Sequence, residues 1–217
     1  MRKFFLLCLL ACTFFVQAQK NESLPYHRKA FTFNVLPLLP LDYTILPGIE
    51  FKIKPKLLLT GEAGYIFASD YLRNENGGER KASGFIIRPA LKLFMNDRSR
   101  TYLQPQFFYK QVTHRVYDWL GKEMVDNVAS YEQLQNFKYR RKIVGVNVIL
   151  GTVMPLGLRN SFVDLYIGLG VRKKTVKVVG EPTSSYQRIP IIGNSDNANE
   201  GIFPSLPAGI RFIYAFK

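Results

Sequence analysis

The last ten residues, AGIRFIYAFK, constrain this 217-residue chain more than any other stretch. Taken every second residue, Ile210, Phe212, Tyr214 and Phe216 form one apolar, aromatic face, while Gly209, Arg211, Ile213 and Ala215 form the other. Period two is strand geometry, because successive side chains leave opposite faces of a pleated backbone. Three rings on one face of a terminal strand serve little purpose in a water-soluble core. They are in place if that face meets hydrocarbon, with the rings near a membrane interface.

The first eighteen residues read as a targeting segment. Arg2 and Lys3 give a basic start, residues 4–16 are apolar except for Thr13, and Val16-Gln17-Ala18 is a small-residue cleavage site. The apolar run is shorter than the ~20 residues a spanning helix needs. Cleavage after Ala18 and export are therefore expected, with residues 19–29 as an N-terminal segment ahead of the first strand. Leu9-Leu10-Ala11-Cys12 offers a second reading, lipidation at Cys12. Both cysteines, Cys8 and Cys12, lie in this leader, so the exported chain is expected to carry no disulfide and no thiolate metal site. Without Arg2 and Lys3, the 30 basic residues become 28 against 16 acidic, a formal +12. An exported chain seldom meets nucleic acid, which leaves an anionic surface as the expected partner.

No later segment approaches 18 consecutive apolar residues, which excludes a bundle of spanning helices. Eight stretches instead alternate with period two: residues 30–36, 44–54, 57–67, 84–94, 102–115, 138–154, 161–177 and 208–217. The connections between them alternate in length. Residues 54–56, 96–100 and 155–160 are tight turns, whereas 68–83, 116–137 and 178–202 are long and 37–43 is intermediate. In lipid only a helix or a closed sheet satisfies every backbone group, so strands that insert must close on themselves. Pro47, Pro89, Pro105 and Pro207 fall inside or beside these strands and donate no ladder bond, so local breaks are expected there.

Gly209 followed by Phe212, Tyr214 and Phe216 resembles the C-terminal assembly signal of bacterial outer-membrane β-barrels, although Lys217 follows the last aromatic. From residue 30 to the end the chain is similar in architecture to the small eight-stranded barrels of the OmpA/OmpX type. The resemblance implies an all-β fold: an eight-stranded antiparallel up-and-down transmembrane barrel with short periplasmic turns and long extracellular loops. It implies a monomer in the outer membrane, with the assembly machinery and outer-membrane lipids, lipopolysaccharide among them, as partners. The role implied is envelope integrity or surface interaction. Related small barrels include lipid A-modifying enzymes, and a lipid or small-ligand carrier is a further alternative.

Eight strands enclose just enough room for side chains. The inward set carries both signs: Glu50, Lys52, Glu62, Arg88, Lys92, Lys110, Asp164, Arg172 and Arg211. Buried charges must pair, so a salt-bridged plug is expected, with a narrow water or ion path as the alternative and no wide pore. Arg115, Arg140, Lys142 and Lys173 share the outward phase near the long-loop end, and there they are expected to meet lipopolysaccharide phosphates. In residues 116–137, Leu120, Met124, Val128 and Tyr131 recur at helical spacing behind Asp118, and Trp119 stands beside them. A short amphipathic helix over the mouth is one reading of that pattern, a loop packed on itself the other. Asn76-Gly77-Gly78 is a turn tip with no strand-to-helix context for phosphate binding. The histidines, His27 and His114, are far apart in sequence, and the His-x-Ser pair of the deacylase barrels is absent. No catalytic residue, cofactor or metal site is expected.

Overall fold

A computed structural model describes residues 28–35, 42–69, 82–95, 100–125, 128–180 and 200–216. The leader, Cys12, His27 and the tip at Asn76 to Gly78 lie outside the described residues. Within them the chain is all strand and turn, and no helix is long and apolar enough to cross a membrane.

The strands are β1 (Lys29–Asn34), β2 (Asp42–Lys54), β3 (Leu57–Ser69), β4 (Ala82–Phe94), β5 (Thr101–Val125), β6 (Val128–Pro155), β7 (Ser161–Val179), β8 (Gly201–Ser205) and β9 (Ala208–Phe216). Each of β1 to β7 pairs antiparallel with the next, and β9 joins β7 to β1. Eight strands thus close into a ring. Closure removes the free edges that an open sheet exposes. The two tight turns that can be followed have local causes. Pro55-Lys56 joins β2 to β3. After β6, Gly157 and Asn160 adopt left-handed φ values of 78° and 60°, and Leu156 N–H donates to Ser161 O at 3.0 Å.

The prolines are absorbed one side at a time. Pro47 pairs with Phe33 of β1, while the β2–β3 ladder skips from Ile45 to Gly48. Pro89 pairs with Gly61 and Pro105 with Val148, yet between Ile87 and Leu93 only Ala90, facing Gln106, remains paired across β4 and β5. Each ring nitrogen costs one ladder and spares the other, because N–H groups alternate between neighbouring strands. Pro207 lies between β8 and β9, and its carbonyl accepts from Gly168 N–H at 2.7 Å.

Two expectations are corrected. Residues 116–125 and 128–137 form neither a helix nor a loop packed on itself: β5 and β6 run on as an antiparallel pair in one register, from Val116 opposite Phe137 to Val125 opposite Val128. Leu120, Met124, Val128 and Tyr131 are strand residues there. Second, residues 178–202 do not all lie in a connection. β7 extends to Val179, and β8 begins at Gly201 and pairs with the upper part of β7. The eighth stave is therefore split into β8 and β9, with Leu206 and Pro207 at the break.

Candidate functional site

Burial follows the period-two pattern, but inverted with respect to a water-soluble protein. On β9, Gly209, Arg211, Ile213 and Ala215 are buried, while Ile210, Phe212, Tyr214 and Phe216 stand exposed. The same holds around the ring: Phe31, Ile49, Leu59, Phe85, Leu91, Phe107, Val148 and Leu169 all point outward and exposed. Large exposed apolar patches on a lone soluble protein seldom exceed a few hundred Å². Here the patch is a continuous belt on every stave.

Inside the ring, Asp164 on β7 is the hub. Its Oδ2 accepts from Lys92 Nζ at 3.0 Å and from Arg211 Nη1 at 2.9 Å, and its Oδ1 accepts from the Tyr102 hydroxyl at 2.6 Å. Lys92 also donates to Glu50 Oε1 at 2.6 Å, and Arg211 Nε to Glu62 Oε1 at 2.8 Å. Arg88 approaches Glu62 at 3.7 Å. Three carboxylates thus face Lys92, Arg211 and Arg88, and the formal charge cancels. Lys92 and Asp164 are 0 % exposed and Glu50 and Arg211 1 %, so pairing is obligatory: a lone ion at such a place is too costly to desolvate.

Rings cover the ions. Lys92 Nζ lies 4.4 Å from the centroid of Tyr102 and the Arg211 guanidinium 5.0 Å from that of Tyr166. Tyr166 accepts from Asn34 Nδ2 at 2.6 Å. Glycines make the room: a Cβ on Gly151 would collide with the Tyr102 ring and one on Gly209 with the Tyr166 ring. Gly209 thus has a packing reason to be there, independent of any role in assembly. Gly209→Leu is expected to displace Tyr166 and cost ~1–3 kcal/mol, seen as an earlier urea midpoint.

Of the nine expected inward charges, Glu50, Glu62, Arg88, Lys92, Asp164 and Arg211 meet in this network. Lys110 does not: it pairs with Asp42 at 2.5 Å in a second, higher cluster, where Arg141 Nη2 donates to both Asp42 oxygens at 2.7 and 2.6 Å. Lys52 and Arg172 are exposed and stand outside both clusters. Lys52 lies at a bulge beside the turn that ends β2. Arg172 faces Phe203 of β8, whose far edge is unpaired among the described residues, so the wall does not enclose it. Tyr102, Tyr166, Asp42 and Arg141 join these clusters from outside the expected set. Alternation predicts the inward aim of Tyr102, Tyr166 and Arg141, since Leu103, Leu165 and Val144 are of the outward phase.

Arg115, Lys142 and Lys173 are exposed and Arg140 is half-buried, all on the outward phase of β5, β6 and β7. Arg140, Lys142 and Lys173 line one cavity of about 430 Å³ together with Lys177. Arg115 is not part of it and stands opposite Lys138. His114 is fully buried, edge-on to Tyr139 at 6.1 Å. Among the described residues no three His, Cys, Asp or Glu side chains group as metal ligands would.

These features define a class: a closed antiparallel ring of eight strands with an ion-paired interior and an apolar exterior. Comparison with protein families, curated proteins and solved structures finds no match for the chain.

Proposed function

We propose that this chain is a small outer-membrane β-barrel of structural or surface-interaction role, its interior a plug rather than a pore. The observation that carries the reading is the inverted partition. Phe31, Val148, Leu169 and Phe212 are 42, 53, 69 and 44 % exposed, while Lys92, Arg211, Glu50 and Asp164 are sealed inside. Water would reverse that arrangement; hydrocarbon around a narrow closed sheet requires it. Pairing offsets the desolvation cost of the inward charges, and eight strands enclose little more than the room their side chains need, which supports a plug. The long β5–β6 hairpin, beyond the apolar belt, is the surface offered to partners. Outer-membrane lipids surround the belt, and the assembly machinery inserts the barrel.

Membrane fractions of expressing cells provide the test. The protein is expected to stay with membranes until detergent is added, and unheated samples are expected to migrate on gels differently from boiled ones. Release by salt alone, with identical mobility before and after boiling, would remove the proposal.

A further inference from the structure

Resting on the membrane reading, we infer that the outward face of β5, β6 and β7 seats one lipid whose headgroup carries more than one phosphate. Arg115, Lys138, Arg140, Lys142, Lys173 and Lys177 project from three adjacent strands, and no Asp or Glu shares the outward phase with them between Tyr109 and Arg115, Lys138 and Val144, or Val171 and Lys177. The register sets like charges directly opposite one another: Arg115 faces Lys138 and Arg140 faces Lys177. Such pairs repel across a sheet, and the fold gains nothing from keeping them without an external anion. Arg140 Nε is buried and has no hydrogen-bond partner, a donor left for a ligand oxygen.

The hollow bounded by Arg140, Lys142, Lys173 and Lys177 also has an apolar floor, from Tyr109 and Val144. Two residues further down the same strands, Phe107, Val146 and Val171 open a second, apolar hollow of about 590 Å³ that runs over Pro89 and Pro105. Two residues of strand are ~7 Å. Cationic and apolar hollows are thus stacked along one line in the order of a lipid's phosphates and its acyl chains. The two-proline seam widens the lower one, because the flat rings of Pro89 and Pro105 replace bulkier outward side chains. Headgroup charge decides the class. A phosphodiester lipid brings one negative charge to six cations, whereas two phosphate monoesters bring about −3 to −4. The guanidinium of Arg140 suits a bidentate phosphate contact and the lysines suit point-charge contacts.

The probes are diphosphoryl lipid A, its dephosphorylated form and phosphatidylglycerol, each offered to the detergent-purified chain and read by native mass spectrometry. Wild type is expected to retain diphosphoryl lipid A. The combined variant R140Q/K142Q/K173Q/K177Q is expected to retain at least about tenfold less of it, since each surface cation near an anionic lipid adds a comparable increment. Heat-modifiable mobility of that variant is expected to be unchanged. Equal retention by variant and wild type, equal retention of all three lipids by wild type, or no retention at all overturns the site. Those outcomes leave the barrel reading intact if mobility still shifts on boiling; loss of the shift in wild type takes both readings down.

Discussion

Arg211→Met is expected to destabilise the folded chain by about 3–5 kcal/mol, read as a lower urea midpoint in detergent or vesicles. The size follows from what is left behind. Arg211 Nε and Nη1 are donors to Glu62 and Asp164, and Asp164 is 0 % exposed. Methionine fills much of the volume but neutralises nothing, so three carboxylates remain with only Lys92 and Arg88 to offset them and one negative charge is left over. Lys92 stays with Asp164 and Glu50, which limits the damage to Glu62, one contact of Asp164 and the longer 3.8 Å approach to Glu50. Adding Glu62→Gln to Arg211→Met should therefore recover part of the loss, because it removes the charge that was stranded. A single variant within about 0.5 kcal/mol of wild type, the range of an unremarkable surface change, would contradict the network.

Val148→Arg is the second large effect, and it concerns the outside. Val148 is 53 % exposed, in mid-strand between Pro105 and Leu169. On a protein in water, Arg at an exposed strand position changes stability by roughly ±0.5 kcal/mol. On the lipid face near the middle of a bilayer it costs about 2–4 kcal/mol. The predicted outcome in vesicles is the larger loss, measured as the shift in unfolding midpoint. Arg at Lys142, above the belt, serves as the matched control and should cost nothing measurable. Equal tolerance at both positions would remove the hydrocarbon from the account.

The outward face was the most legible part of the fold in the amino-acid sequence. Period two survives wherever one side of a strand meets apolar surroundings and the other meets the ion-paired interior, as in β9 and in β6 from Ile143 to Ile149. It fails where both sides meet the same medium. In the β5–β6 extension Ser130, Tyr131, Glu132, Gln133 and Leu134 are all exposed, so nothing there selects an alternating pattern. Helical spacing of four apolar residues arises in such a stretch without a helix. β8 was hidden for another reason: five residues with Pro204 among them, followed by Pro207, give little alternation and two missing donors.

The interior was legible as a set of charges but not as a partition. Alternation aims Lys110 inward as it does Lys92, yet only register shows that Lys110 sits level with Asp42 rather than with Asp164. Asp42 opens β2, where the expected strand had not yet begun, so its pairing with Arg141 was out of reach. Glycine placement carries a further signal of the interior. Gly151 and Gly209 face Tyr102 and Tyr166, the rings that cover Lys92 and Arg211. A small residue opposite a large one on paired strands is the mark of a filled, narrow interior.

Everything proposed depends on which medium touches Val148. The chain's two cysteines are Cys8 and Cys12, so a variant with both replaced by Ser and with Val148→Cys carries a single thiol for a fluorophore. In phospholipid vesicles, the probe is expected to be quenched by lipids bearing a nitroxide midway along the acyl chain and to be untouched by iodide in the buffer. Quenching by iodide with no response to the nitroxide lipids would mean that water, not hydrocarbon, lies against the belt.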